Sequence, residues 1–144
     1  MDAARLRTAI PAAIDALGGD SRVSVLGPDA WAIFRGTVLG YVALIVPEGE
    51  SEPDGIVHVT FPILRVPAQG AEPLFRRLLE VNHELGSFAS FSLDGHGKVW
   101  LGAGRFAADL DEHELRELIA QVAGLADRYD DELLEQFGRN LALE

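Results

Sequence analysis

The longest regular pattern in the chain is an apolar stripe near its C-terminal end, and this stripe constrains the fold most. Asp111 and Glu114 have the spacing of a helix capping box. The apolar residues that follow at helical spacing are Leu115, Leu118, Ile119, Val122, Leu125, Tyr129, Leu133 and Phe137. A helix over residues 111–137 would be about 40 Å long at about 1.5 Å per residue, enough to cross a whole β-sheet. The stripe therefore predicts a long amphipathic helix that packs on a sheet and turns an acidic face outward.

The strands of that sheet are predicted from runs of β-branched and aromatic residues that are separated by turn residues. Such runs cover residues 23–26, 30–34, 37–46, 56–66, 88–93 and 98–103. An acidic stretch at residues 47–55 predicts a solvated loop. The sequence Asp94-Gly95-His96-Gly97 is typical of a tight hairpin turn, because glycine readily adopts the positive φ that such turns need. Connections this short favour antiparallel pairing.

Two further helices are predicted from apolar residues at helical spacing, over about residues 6–17 and 72–85, each with a glycine after it. Pro73 lies in the first turn of the second of these helices, where a proline is tolerated. Pro11 lies in a helix interior, so we expect either a kink there or a later start, near Thr8. The resulting order, α-βββ(β)-α-ββ-α, predicts one α+β domain over residues 1–144, an antiparallel sheet with helices packed on one face.

Composition narrows the classes of function. The chain has 144 residues, no cysteine and a net charge of −11. The missing thiols exclude cysteine nucleophiles and cysteine-bound metals, and they favour a cytoplasmic setting. The negative charge disfavours nucleic acid and anionic lipid as partners. The sequence shows neither a signal-peptide pattern nor an apolar run of about 18 residues, so we expect neither export nor a membrane span.

The residues that most resemble a metal or catalytic site are weak candidates. Glu80 and His83 have the Glu-x-x-His spacing of a half-site in di-iron bundles, but the sequence lacks the second such pair. A histidine near a helix end, favoured there by the helix dipole, is the alternative interpretation. Asp94 and His96 supply too few ligands for a closed metal site. The sequence also lacks a Gly-x-Ser-x-Gly turn. We therefore predict no cofactor, no metal and no enzymatic activity.

A candidate binding surface follows from strand alternation. The strand at residues 37–46 is apolar in both alternating sets of residues, whereas a half-exposed sheet should alternate between apolar and polar. Tyr41, Phe88, Trp100 and Trp31 are therefore candidates for a second, partly exposed apolar face that another chain covers. The alternative is that the last helix and the loops cover these residues, or that the assumed register is wrong by one.

Several segments of the sequence resemble the bacterial YbjN-like family. They are the runs at residues 78–85 (LLEVNHEL), 87–95 (SFASFSLDG), 99–101 (VWL) and 110–118, and the likeness covers roughly residues 72–135. This family is similar in fold to the chaperones of type III secretion systems. The resemblance implies an α+β domain with helices on one sheet face, commonly a dimer, that binds another protein and catalyses no known reaction.

Two hypotheses of function follow. The first is a non-enzymatic, homodimeric, cytoplasmic module, chaperone-like or adaptor-like, that holds an extended or amphipathic segment of another protein against the apolar sheet face. The acidic last helix would steer basic partners toward it. The second is a sensory or regulatory domain in which the same apolar residues line a pocket for a small molecule.

Overall fold

The computed structural model describes residues 1–46 and 55–143. The predicted acidic loop at 47–55 lies outside the described residues except for Gly55. The helices are α1 (Ala3–Asp15), α2 (Glu72–Leu85) and α3 (Glu112–Phe137). The strands are β1 (Arg22–Gly27), β2 (Ala30–Arg35), β3 (Val38–Ile45), β4 (Ile56–Arg65), β5 (Ser90–Leu93) and β6 (Lys98–Phe106). This order confirms the predicted fold class.

The six strands form one sheet in the order β1-β2-β3-β4-β6-β5, and every neighbouring pair is antiparallel. The longest pairing joins β4 to β6, from Ile56 opposite Phe106 to Arg65 opposite Lys98. One irregularity interrupts it between Pro62 and Leu64, where proline cannot donate a backbone hydrogen bond. α3 packs mainly on β4 and β6, so this pair of strands lies directly below the helix.

One face of the sheet is covered by α3, as the apolar stripe predicts. Phe61, Leu101 and Phe91 lie side by side across β4, β6 and β5, and all three are buried. Phe91 meets Tyr129 of α3 edge to face, with 5.5 Å between the ring centroids. The capping box is present: Asp111 accepts from the backbone N–H of Glu114, whose carboxylate accepts from the backbone N–H of Asp111. The core therefore lies between α3 and this face.

The first helix starts earlier than the sequence predicts. α1 begins at Ala3, because the Asp2 carboxylate accepts a hydrogen bond of 2.8 Å from the backbone N–H of Arg5. The helix continues through Pro11, so the predicted start near Thr8 is wrong. Burial explains the continuation: Leu6, Ile10 and Ile14 are completely buried, and this offsets the backbone hydrogen bond that proline omits.

The second helix is tied to the edge strand β5. Asn82 of α2 bridges the backbone of Phe91: its side-chain amide donates to the carbonyl oxygen at 3.2 Å and accepts from the N–H at 2.6 Å. β5 is an edge strand of the sheet, so the amide supplies partners for backbone groups on the outer side of that strand. β5 begins at Ser90 rather than at the predicted Phe88, and Gly86 ends α2 with a φ of +66°.

Candidate protein-binding face

The sheet face opposite α3, here called the open face, carries a row of apolar side chains. Cross-strand partners share a face, so the pairing of Tyr41 with Thr60 and of Thr60 with Gly102 places these residues together. By the same register the open face also carries Phe34, Leu39, Ala43, Ile45, Ile56, His58, Pro62, Trp100, Gly104 and Phe106. Tyr41 and Trp100 are partly exposed there, so this face is only incompletely covered by the described residues.

Tyr41 and Trp100 are in contact across β3, β4 and β6. Their ring centroids are 6.2 Å apart and the planes are tilted by 44°. This distance lies within the range at which aromatic rings attract each other. The two rings form a single apolar platform, because β3 and β6 present them on the same face of the sheet.

Asp94 holds the indole ring of this platform. The indole N–H of Trp100 donates to Oδ2 of Asp94 at 2.9 Å. Oδ1 of the same carboxylate accepts from the backbone N–H groups of His96 and Lys98, at 2.8 and 2.9 Å. One side chain therefore closes the β5–β6 turn and fixes the ring that lies above it.

The same contacts keep Asp94 ionised. The indole donor lowers the pKa of Asp94 most, and the backbone N–H of Lys98 and then that of His96 add to it, so that the pKa falls to about 2. The carboxylate therefore accepts all three hydrogen bonds at any pH near neutrality. Sequence reasoning assigned Asp94 only to the turn, because its bond to Trp100 depends on the side-chain rotamers of both residues.

A bare strip of backbone extends from the aromatic platform along β6. Trp100, Gly102, Gly104 and Phe106 alternate along the strand on the open face, and Phe106 is 62% exposed. The two glycines leave no side chain between the aromatic residues, which are about 20 Å apart at about 3.3 Å per residue. Such a strip lets another backbone approach the sheet closely.

Trp31 does not lie on the open face. It pairs with Val42 on the face that the helices cover, and it is only 3% exposed. Its prediction as a member of the second face is wrong. The run at residues 30–34 is apolar in both alternating sets, so the sequence does not show which set points to the helices.

Phe88 is also separate from the platform. It precedes β5 and lines a cavity of about 670 Å³, here called the end pocket, at the C-terminal end of β6. Phe106, Leu110 and Leu118 contribute to its apolar lining, and Asp109, Glu114 and Glu117 contribute carboxylates. The guanidinium of Arg105 stacks over the Phe88 ring at 5.5 Å. This pocket could not be predicted from the sequence, because its walls come from segments that are distant along the chain.

The described residues contain no cluster of three or more histidine, cysteine or acidic side chains with metal-binding geometry. Glu80 and His83 instead line an open apolar depression on the outer side of α2, together with Phe75 and Leu79. Within the described part of the chain, no helix is long and apolar enough to cross a membrane.

The architecture is that of the type III secretion chaperones. The crystal structure of the ExsC–ExsE complex matches with a TM-score of 0.64 and 20% sequence identity, and the match covers 91% of this chain and 96% of that chain. The HopA1–SchA chaperone–effector complex matches with a TM-score of 0.60 and 11% sequence identity. This match covers 91% of this chain and 98% of that chain. The Yersinia pestis type III secretion chaperone SycH, in complex with a stable fragment of YscM2, matches with a TM-score of 0.50 and 12% sequence identity. This match covers 83% of this chain and 98% of that chain. At these identities the likeness shows the fold.

The family follows from the sequence itself. Residues 33–144 match the family model described as T3SS (YopN, CesT) and YbjN peptide-binding chaperone 1. The match covers most of the chain, so the protein belongs to this family of peptide-binding chaperones, and the resemblance to the YbjN-like family is confirmed. No curated protein sequence matches the chain significantly.

Proposed function

We propose that the protein is a non-enzymatic, chaperone-like module of the cytoplasm that holds an extended or amphipathic segment of another protein against its open face. The observation that carries the proposal is the partly exposed Tyr41–Trp100 platform, fixed by Asp94. The family description names peptide-binding chaperones, and the HopA1–SchA structure is a chaperone–effector complex. Both support a protein segment as the ligand.

Aromatic platforms of this kind are suited to binding. Tryptophan and tyrosine are enriched among the residues that contribute most binding energy, because they bury a large apolar area with few rotatable bonds. Trp100 loses little further freedom on binding, since Asp94 already holds its indole N–H. At the exposed Gly104 a Cβ would make only ordinary contacts, so an extended segment can approach β6 there, beyond the platform.

We further propose that two copies associate through the outer face of α2. Leu79 is 69% exposed in the middle of this helix, beside Phe75. The ionisable residues of that face are Glu72, Arg76, Glu80, His83 and Glu84, and Arg76 forms an ion pair with Glu72 within the helix. If two such helices pack antiparallel about a two-fold axis between Arg76 and Glu80, Arg76 lies opposite Glu80 of the second copy and the two Leu79 side chains lie close to the axis. The face is therefore apolar at its centre and self-complementary at the Arg76–Glu80 pair.

Selection from a random peptide library tests the proposal of peptide binding. Displayed peptides of about 12 residues reach about 40 Å when extended, enough to cross the platform. We expect the wild type to select peptides, and the Trp100→Glu variant to bind them at least about tenfold more weakly, because a charge replaces a buried aromatic anchor. The matched control is Ser24→Glu, which adds the same charge on the same face of the edge strand β1.

Circular dichroism checks that each variant folds. If Trp100→Glu unfolds the protein, Gly104→Val serves instead: a Cβ there makes only ordinary contacts with Ile56, His58 and the backbone of Val57, and the γ-methyl groups project onto the strip. Failure of the wild type to select any peptide would contradict the proposal. Equal binding by the folded Trp100→Glu and wild-type proteins would place the peptide elsewhere.

A small-molecule sensor is the second candidate, and the end pocket favours it. Its volume of about 670 Å³ lies in the range of small-ligand sites. A saturable rise in melting temperature with a metabolite, in a screen of free small molecules, would support this function. If no small molecule raises the melting temperature and the wild type selects peptides, the result supports the peptide-binding function instead.

A further inference from the structure

The end pocket lies where β6 extends beyond its neighbour. β5 pairs only with residues 99–102, so among the described residues β6 has strand β4 on one side and no strand on the other from Ala103 to Phe106. The end pocket occupies this gap, between Phe88 and the first turns of α3. An extended segment that follows the bare strip away from Trp100 therefore reaches Phe106 and the end pocket.

The lining of the end pocket carries three carboxylates and one guanidinium, that of Arg105, so it is acidic overall. Asp109, Glu114 and Glu117 belong to its lining, and none of the ion pairs of the described residues involves them. Glu114 serves the capping box of α3. Arg105 donates to the carbonyl oxygen of Gly104 and stacks on Phe88. Asp109 and Glu117 are therefore the carboxylates available to a ligand.

The sequence next to the end pocket is also acidic. Residues 109–117 contain five carboxylates, at Asp109, Asp111, Glu112, Glu114 and Glu117, and one arginine, Arg116. The field of this region attracts cations toward the end pocket and repels acidic segments. The floor, in contrast, is apolar, because it is formed by Phe88, Phe106, Leu110 and Leu118. An apolar floor below an acidic rim fits a large apolar side chain that has a lysine or arginine beside it.

We infer that the segment bound by this protein places such an apolar–basic pair in the end pocket, with the basic group facing Asp109 and Glu117. The inference rests on the proposed function. Trp100 and Phe106 are six residues apart along β6. An extended segment that lies along this strand, in either direction, therefore needs a second apolar residue about six positions from the apolar–basic pair. This second residue would lie over the Tyr41–Trp100 platform. The partner is thus a basic, amphipathic peptide segment.

The sequences of library peptides selected by the wild type test this inference. We expect lysine or arginine within about three positions of an aromatic or aliphatic residue, with a second apolar residue about six positions away. Binding of a selected peptide to the double variant Asp109→Asn, Glu117→Gln should be about fivefold weaker and less sensitive to salt. The matched control is Asp127→Asn, Glu135→Gln, which removes the same charge from α3 outside the end pocket.

Phe106→Ala separates the apolar part of the site from the charged part. Phe106 is largely exposed, so its truncation should leave the fold intact and weaken a selected peptide about tenfold. The inference is overturned if selected peptides lack basic residues. It is also overturned if the Asp109→Asn, Glu117→Gln variant binds a selected peptide as tightly as the control variant Asp127→Asn, Glu135→Gln does. If those peptides still lose binding to Trp100→Glu, the proposed function stands. A small molecule that saturates the end pocket without displacing a selected peptide also overturns the inference.

Discussion

At the scale of single residues, Asp94 connects the stability of a turn to the position of a binding residue. Its pKa is about 2 in the folded protein, below the ordinary value near 3.8, because Trp100 and two backbone N–H groups donate to it. A carboxyl group with a depressed pKa contributes stability that is fully present above its unfolded pKa and is lost as the pH falls through its folded pKa. The contribution of Asp94 should therefore disappear between about pH 4 and pH 2.

The Asp94→Asn variant tests this link. At pH 7 the variant should melt at a lower temperature than the wild type, because a neutral amide accepts hydrogen bonds more weakly than a carboxylate. The difference in melting temperature should shrink as the pH is lowered from about 5 to about 2. Thermal unfolding across this range measures it. A difference that stays constant with pH would show that the carboxylate charge is not what holds the turn.

Gly40 of β3 is a second residue with a definite structural requirement. A Cβ at this position would overlap the ring of Phe61, which is completely buried. Gly40→Ala should therefore lower the free energy of unfolding by about 1–3 kcal/mol, the usual cost of overpacking a core. Gly104→Ala is the matched control, since its Cβ makes only ordinary contacts. Urea unfolding compares the two, and equal stabilities would contradict the packing described for Phe61.

At the scale of elements, Gly124 lies inside α3 where nothing requires a glycine. A Cβ at this position meets no atom of the described residues within 4 Å. Gly124→Ala should raise the free energy of unfolding by about 1 kcal/mol, because alanine is the better helix former. Gly138→Ala, at the C-terminal end of the same helix, should do the opposite, since its φ of +124° is strained for alanine. Chemical denaturation of both variants distinguishes a local helix effect from a general effect of alanine.

The outer face of α2 carries the prediction about assembly. Leu79→Asp should convert a dimer to a monomer, because it places a charge at the centre of the self-complementary face. Leu26→Asp is the matched control: Leu26 is 56% exposed on β1, outside this face. Light scattering coupled to size-exclusion chromatography gives the mass. A wild-type monomer, or a Leu79→Asp dimer, would contradict dimerisation through α2.

Several elements could be predicted from the sequence, for reasons that are local. Periodicity and the capping box predicted α3, and the Asp-Gly-His-Gly turn predicted the β5–β6 hairpin. The start of α1 was not predicted, because the burial that compensates for Pro11 comes from residues distant in sequence. The hydrogen bonds of Asn82 to Phe91 were not predicted for a similar reason, since they join two separate elements.

At the scale of the whole molecule, the sheet divides the aromatic residues between two environments. Trp31 lies in the core with the helices, whereas Trp100 lies on the open face with Tyr41. Strand alternation placed Trp100 opposite Val99 and Leu101, which are buried, but the sequence left open whether the assumed register was wrong by one. The end pocket needed the assembled molecule, since α3, β6 and Phe88 meet only after folding.

The two tryptophans provide the most direct measurement of the central claim, that the open face binds a protein segment. They are the only tryptophans in the chain, so a ¹⁵N-labelled sample has two indole N–H resonances, which Trp100→Phe assigns. Addition of a library-selected peptide should shift the Trp100 resonance saturably and leave that of buried Trp31 nearly unchanged. A Trp100 resonance that does not move when the peptide is bound would contradict the account.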